Sequence, residues 1–219
     1  MLMDSREFAI RVITNSDKYA ERLREKVLNK VTILDGEDLV RVLKNRVWAE
    51  FHLGVLRPAK QMLLLPDEDV DLRWMLTEHL YEEYKHAKVF SEILEELGED
   101  GDITHIQPSP EDIHLLHSTL QYDDAVDIAA AFQVTGEVVL IEILKHLTTL
   151  VEPRFAKRIE EEVLVDEGKH VKNGRKLLER YCTTEEQQRR VVAISEKTFE
   201  EICACYEVDF YGAIKAEAD

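Results

Sequence analysis

Apolar residues recur along most of this chain at intervals of three and four, which is the spacing of amphipathic α-helices. Residues 4 to 30 show this pattern loosely and predict a helix that packs outside a bundle. A clearer pattern predicts a first bundle helix from Glu37 to Leu65, with a kink near Gly54 caused by Pro58. The chain is therefore expected to begin with one accessory helix and one bundle helix.

Three further bundle helices and a final helix follow from punctuation by proline, glycine and capping residues. Acidic residues after Pro66 suit a helix start, and Gly98 suits a left-handed helix end. Residues 98 to 110 are predicted to form a long connection, and Ser109 to start the next helix. Thr184 is a capping residue that starts the final helix. The predicted helices span about 67 to 97, 122 to 151, 153 to 181 and 184 to 210.

The composition agrees with this pattern. Only 8 Gly and 5 Pro occur in 219 residues, which favours long helices over frequent turns. We expect an all-α chain with a single domain over residues 1 to 219, a four-helix bundle core at about 37 to 181, and additional N- and C-terminal helices.

The formal net charge of −17 excludes several partners. It would repel the phosphates of nucleic acids and of anionic membrane surfaces. No apolar run approaches the roughly 20 residues that span a bilayer, and charged residues interrupt the N-terminus before any signal-like segment forms. We expect a cytoplasmic protein with no nucleic acid partner and no membrane span. Three cysteines, Cys182, Cys203 and Cys205, are expected to be reduced thiols.

One spacing of glutamate and histidine occurs on two of the bundle helices. EYKH at 83–86 and EGKH at 167–170 both place a carboxylate and an imidazole one turn apart on one helix face. Each of the other two bundle helices has a Glu within an apolar stretch. The candidate ligands, which would also be the catalytic residues acting through bound metals, are Glu50, Glu83, His86, Glu137, Glu167 and His170.

This set matches the ligand arrangement of di-iron and di-manganese helical bundles. Four carboxylates balance two divalent ions, and imidazole adds neutral terminal ligands. We expect two iron ions, with manganese or a mixed Mn/Fe pair as the alternative. Glu137 carries particular weight, because a charge among Val, Leu and Ile requires a compensating partner.

Other polar residues compete for these roles. Glu142 lies on the same helix as Glu137 and is the alternative ligand, although it can pair with Lys145 instead. A third Glu-x-x-His match at 111–114 lies at a helix start, where an exposed acidic first turn is the ordinary explanation. For His79, His146 and Tyr81 two interpretations stay open, contacts around the ligands or ordinary surface or satisfied polar positions, and the second is favoured. Asp166 is expected to orient an imidazole.

The ordered ligand set resembles that of the ferritin-like di-iron carboxylate superfamily over about residues 40 to 180. Within it, the segments 155–159 and 165–170 (FAKRI and VDEGKH) are similar to the fourth-helix segment of cyanobacterial aldehyde-deformylating oxygenases. That resemblance implies a di-iron enzyme with an electron donor such as a ferredoxin or a reductase, and an apolar substrate in a channel between helices. From this resemblance we expect the metal ligands and the activation of O2 in this chain, and we assign no substrate.

Three functions remain open. The first is an oxidase or oxygenase acting on a small or apolar organic substrate, for example a fatty aldehyde or an acyl compound. The second is a ferroxidase, or a peroxidase like rubrerythrin or bacterioferritin. Rubrerythrins typically have a second Glu where this chain has Leu140, and a four-cysteine module that three cysteines cannot form. The third is a metal-free acidic interaction module. A monomer and a homodimer are both open.

Overall fold

The computed structural model describes residues 2–34 and 36–210, and these form helices joined by turns, without a β-strand. The all-α prediction is therefore confirmed. Residues 211 to 219, which the predicted domain includes, lie outside the described residues. The α-helices are α1 (Ser5–Lys26), α2 (Gly36–Ala49), α3 (Val55–Leu64), α4 (Val70–Glu96), α5 (Pro110–Leu120), α6 (Ala125–Ala131), α7 (Glu137–Leu150), α8 (Pro153–Ile159), α9 (Val165–Tyr181) and α10 (Glu185–Asp209).

Three of the four predicted bundle helices are continuous rods that contain one π-helical turn. The turns are Glu50–Gly54 between α2 and α3, Phe132–Gly136 between α6 and α7, and Glu160–Leu164 between α8 and α9. The fourth rod is α4. A π turn widens the helix locally and often marks a functional site. The irregularity expected near Gly54 is thus a π turn, and Pro58 lies within the α-helical α3.

Helices begin and end close to the predicted capping residues. The side chain of Ser109 accepts a hydrogen bond from the backbone N–H of Asp112 at the start of α5, and Thr184 does the same with Gln187 at the start of α10. Gly98 has a φ angle of 81°, the left-handed conformation that glycine adopts without steric cost. Residues 98 to 109 form the long connection, interrupted by one short 3-10 turn at Ile103–His105.

The two accessory helices pack on the bundle rather than apart from it. Helix α1 lies against α7 and α9 and buries Phe8, Val12 and Leu23, while α10 lies against α5 and α6. The prediction that the first helix packs outside the four-helix core agrees with this arrangement. No helix among the described residues has the length and apolar composition needed to cross a membrane.

The apolar core is divided into two clusters, and three rods contribute to both. On α4, Leu72, Met75 and Leu76 belong to one cluster, whereas Phe90 and Ile93 belong to the other. On the rod α6–α7 the two clusters are separated between residues 134 and 139, and on the rod α8–α9 between residues 163 and 177. The segments between these clusters carry the buried acidic and imidazole side chains, so the hydrophobic core holds a polar layer from both sides.

Helix α9 approaches the π turn at Phe132–Gly136 closely, and Gly174 permits this contact. A Cβ on Gly174 would collide with Cβ of Gln133 and lie 3.0 Å from Cγ1 of Val134. We expect Gly174→Ala to destabilise the fold by about 1 to 3 kcal/mol through overpacking, measured by urea denaturation. Gly168→Ala on the same helix meets nothing within 4 Å and should be stabilising by about 0.5 to 1 kcal/mol. Equal effects of the two substitutions would contradict this packing.

Candidate metal centre

The six predicted ligands lie together in the polar layer at the middle of the bundle. Each is buried, with at most 2% of its surface exposed. Glu50 is the first residue of a π turn, Glu137 follows another directly, and Glu167 lies three residues after the third. The four rods therefore direct one Glu each, and two of them also a His, into one space.

Their ligand atoms form two groups that share one carboxylate. Glu50, Glu83 and His86 form the first group, and Glu83 joins Glu137, His170 and one further histidine in the second. Within each group, the ligand atoms lie within 4.8 Å of one another. Buried glutamates and histidines that converge from four helices are the donor set found in di-metal helical bundles. The cluster could therefore hold metal ions.

Glu167 connects the two groups from the opposite side. One of its carboxylate oxygens lies 3.3 Å from Nδ1 of His86, and the other lies 3.0 Å from Nδ1 of His170. Nδ1 of His170 is also 3.0 Å from Glu83. Both imidazoles thus turn Nδ1 toward the carboxylates at the centre, and Glu167 is placed to serve either group.

The further histidine is His79, which we expected to be an ordinary polar residue. Its Nε2 lies 2.9 Å from Glu83 and 3.4 Å from Glu137, and its ring stacks on that of His170 with the centroids 3.6 Å apart. Burial, followed by the charge of His170, lowers the pKa of His79 and favours the neutral ring that binds metals. Its position one turn before Glu83, on the same helix face, was the available signal.

The charge balance of the cluster is unfavourable without cations. Four buried carboxylates have one guanidinium within 4 Å among the described residues, that of Arg46 at 3.8 Å from Glu50. Both carboxylate oxygens of Glu137, one of Glu50 and one of Glu167 have no hydrogen-bond partner. Burial and neighbouring carboxylates raise the pKa of Glu50 and Glu137 well above the usual value. These unpartnered oxygens and ring nitrogens are a donor set that fits divalent ions.

Protonation is not uniform across the cluster. Although burial opposes ionisation of Glu83, the imidazoles of His170 and His79 lower its pKa well below the usual value. Burial likewise disfavours a charged His170, yet Glu83, Glu167 and Glu82 raise its pKa. In the absence of metal, protons on these groups take the place of cations, so metal binding should release protons.

The outer nitrogens of the two histidines contact carboxylates on the opposite rod. Nε2 of His170 donates a hydrogen bond of 3.0 Å to Glu82, and Nε2 of His86 lies 3.6 Å from Asp166. Because Glu82 accepts the proton on Nε2 of His170, Nδ1 of that ring keeps its lone pair when the ring is neutral. Asp166 faces Nε2 of His86 at a longer distance, on the side of the ring away from Glu167. Asp166 precedes Glu167 on α9 but contacts His86 on α4. Glu82 precedes Glu83 on α4 but contacts His170 on α9.

Two lysines complete this reciprocal arrangement. Lys169 donates hydrogen bonds to Asp166 at 2.7 Å and to Glu82 at 2.9 Å, and Lys85 donates to Asp166 at 2.9 Å. His86 and these lysines lower the pKa of Asp166 and keep it ionised. Both segments have the pattern acid-Glu-x-Lys-His, EEYKH at 82–86 and DEGKH at 166–170. This extended repeat is visible in the sequence, but the crossed pairing depends on how the rods pack.

Gly54 gives the Glu83 side chain its space. A Cβ at position 54 would collide with the Glu83 carboxylate and lie 2.8 Å from its Cδ. The π turn that contains Gly54 therefore brings its backbone directly against the carboxylate that the two ligand groups share.

The competing residues lie elsewhere. Glu142 pairs with Arg24 and Lys145 at the surface, and His146 contacts the backbone oxygen of Val31. His114 is exposed and contacts Glu201. Tyr81 is exposed, Glu111 is outside the cluster, and the three cysteines are free and buried.

A small cavity adjoins the cluster on the side of Glu50 and Glu137. Its volume is about 60 Å³, and its walls include Leu53, Phe132 and Leu140. The cluster thus adjoins a small and mainly apolar space that is lined by residues of the bundle helices.

Comparisons with known proteins define the fold class. No protein-family model and no curated protein sequence matches the chain. A TenA homologue from Pyrococcus furiosus has a similar structure, with 17% identity, a TM-score of 0.73, and coverage of 92% of this chain and 99% of that chain. A domain of unknown function with a heme oxygenase-like fold from Shewanella denitrificans has 16% identity and a TM-score of 0.69, with coverage of 97% and 94%. The chain therefore has an all-helical fold of the heme oxygenase-like type.

We expect Gly54→Ala to lower metal retention strongly, because the new methyl group would displace the Glu83 carboxylate. Metal content after loading with Fe(II) and desalting measures the effect. Gly168→Ala is the matched control, since it adds a methyl group beside Glu167 where nothing lies within 4 Å. Full metal retention by Gly54→Ala would show that Glu83 does not hold metal in the position described here.

Asp166→Asn should weaken metal binding by about 10- to 100-fold while leaving the stoichiometry unchanged at saturation, because the outer support of His86 is lost. Competition with a chelator measures this affinity. The control is Glu92→Gln. Glu92 lies on the same rod as His86, and its carboxylate forms a surface ion pair with Arg158. If both variants bind metal as tightly as the unaltered protein, Asp166 has no role in positioning the imidazole.

Proposed function

We propose that this chain is a non-haem di-iron oxidase or oxygenase that uses O2 to oxidise a small or apolar organic substrate. The observation that carries the proposal is the buried cluster of two ligand groups sharing Glu83, next to a cavity with apolar walls. Glu50, Glu83 and His86 would hold one ion, His79, Glu137 and His170 the other, and Glu167 would contribute from between them. Manganese or a mixed Mn/Fe pair is the alternative content.

Two reduced iron ions would supply the electrons that activate O2 for oxidation of an organic molecule. The protein's own contribution lies in position and environment. The carboxylates compensate the charge of the ions, and the crossed contacts of Glu82 and Asp166 fix both imidazoles. The adjoining cavity is small and its exposed surface is mainly apolar, so it leaves little room for water beside Glu50 and Glu137. An electron donor such as a ferredoxin or a reductase would be required for repeated turnover.

The cavity favours this proposal over the ferroxidase or peroxidase alternative. Leu140, at the position where rubrerythrins typically carry a second Glu, is part of the cavity wall. An organic substrate can use such an apolar surface, whereas iron or peroxide gains nothing from it. The metal-free interaction module is disfavoured because it leaves both oxygens of the Glu137 carboxylate buried without a hydrogen bond. The relationship to aldehyde-deformylating oxygenases stays a proposal that rests on the fourth-rod segments alone.

Metal content tests the proposal before any substrate is known. Anaerobic loading with Fe(II) followed by desalting should leave about two iron ions per chain, and admission of O2 should change the absorption spectrum as the iron is oxidised. Glu137→Ala should lose stoichiometric iron while circular dichroism remains helical. Glu142→Ala, on the same rod but paired at the surface, should bind iron normally.

Absence of both iron and manganese from the loaded protein would overturn the proposal. Loss of iron in Glu142→Ala rather than Glu137→Ala would reassign the ligand. With the metal content established, fatty aldehydes and acyl compounds are the first substrates to test for oxygen consumption.

A further inference from the structure

The cavity beside the metal centre contains a buried cation that the proposed metal chemistry does not use. Arg57 lies on α3, one turn after the π turn that carries Glu50, and only 5% of its surface is exposed. It lines the same cavity as Glu50, Glu83 and Glu137. Its guanidinium lies over the ring of Phe132, with 5.0 Å between the guanidinium carbon and the ring centroid.

The hydrogen bonds of this guanidinium are incomplete. Nε donates to Oγ1 of Thr119 at 3.0 Å, but Nη2 is buried without a hydrogen-bond partner. No carboxylate oxygen of the described residues pairs with Arg57 within 4 Å. Burial lowers its pKa to about 10, even though the charges of Glu137 and Glu83 act in the opposite direction. A buried cation without a paired anion is costly, so a bound anion would compensate it.

A purely structural role as counterion for the metal ligands fits Arg46 better than Arg57. Arg46 lies 3.8 Å from Glu50, and its charge neighbours raise its pKa. Arg57 instead has a free donor on the wall of an apolar space, where a ligand can reach both the guanidinium and the metal centre. Apolar contacts from Leu53, Phe132 and Leu140 surround that space.

We propose that Arg57 binds the carboxylate of the substrate, and that the substrate is a short organic acid whose apolar part points toward the metal centre. This inference rests on the proposed function. A monocarboxylate suits the site, because a single guanidinium donor of Arg57 lacks a hydrogen-bond partner. The size follows from the cavity, since about 60 Å³ is well below the roughly 150 Å³ of a cavity that holds benzene.

The test measures binding of defined acids to protein loaded with Mn(II) under anaerobic conditions, where no O2 is present for turnover. Acetate, propionate and butyrate are titrated by calorimetry, with propionamide and butyramide as uncharged analogues of similar shape. We expect at least one acid to bind with its amide at least about 10-fold weaker, because a charge-assisted hydrogen bond is lost. Arg57→Gln should weaken the acid about 10-fold or more and leave its Mn(II) content unchanged.

Two further variants separate this role from a general effect. Arg57→Lys keeps the charge but not the planar donor pair, and it should bind the acid with intermediate affinity. Arg189→Gln, which removes an exposed arginine, should bind as the unaltered protein does. If Arg57→Gln does not fold, Arg57→Lys decides the matter, because acid binding unchanged in that variant would overturn the role of the guanidinium.

The outcomes are distinguishable. Equal acid binding by the unaltered protein and Arg57→Gln means that the metals alone hold the acid, and it overturns the inference. Binding of none of the acids to Mn(II)-loaded protein also overturns it, and leaves the proposed metal centre intact. Failure of the unaltered protein to retain any metal overturns both proposals.

Discussion

The burial of four carboxylates in the middle of a helical bundle is the constraint on which this structure depends. Burying ionised carboxylates without compensation would cost more free energy than a domain of this size has in reserve. Permanent protein cations are scarce nearby, since Arg46 is the only guanidinium or ammonium of the described residues within 4 Å of these carboxylates, and His170 helps only while it holds a proton. The fold therefore accommodates a layer that requires either protons or metal ions, held between two apolar clusters.

The local structure around that layer follows from the same requirement. Each of the three interrupted rods contains its π turn next to the layer, and the turn at Glu50–Gly54 brings a glycine against the Glu83 carboxylate. The carboxylates of Glu82 and Asp166 lie immediately outside, where lysines from the surface can reach them. The central carboxylates are thus surrounded by ion pairs of Glu82 and Asp166 with lysines that reach solvent. The carboxylates of these ion pairs contact the imidazoles and hold them in one orientation.

Much of this architecture could be predicted from the sequence, because helix periodicity and Glu-x-x-His spacing are local signals. Glu137 was identifiable as a residue that needs a partner, since it stands among Val and Leu in a helix. The π turns were not, because one additional residue barely disturbs a periodic pattern. His79 resembles any lone histidine on a helix. The contact of Asp166 with His86, rather than with its neighbour His170, depends on the packing of two rods, as does the position of Arg57.

Crystals soaked anaerobically with Fe(II), with diffraction data collected on both sides of the iron absorption edge, would show where the protein holds iron. We expect two anomalous peaks inside the bundle, one beside Glu50 and His86 and the other beside Glu137 and His170, with Glu83 between them. Anomalous peaks confined to surface acids, with the buried cluster unchanged, would contradict this expectation.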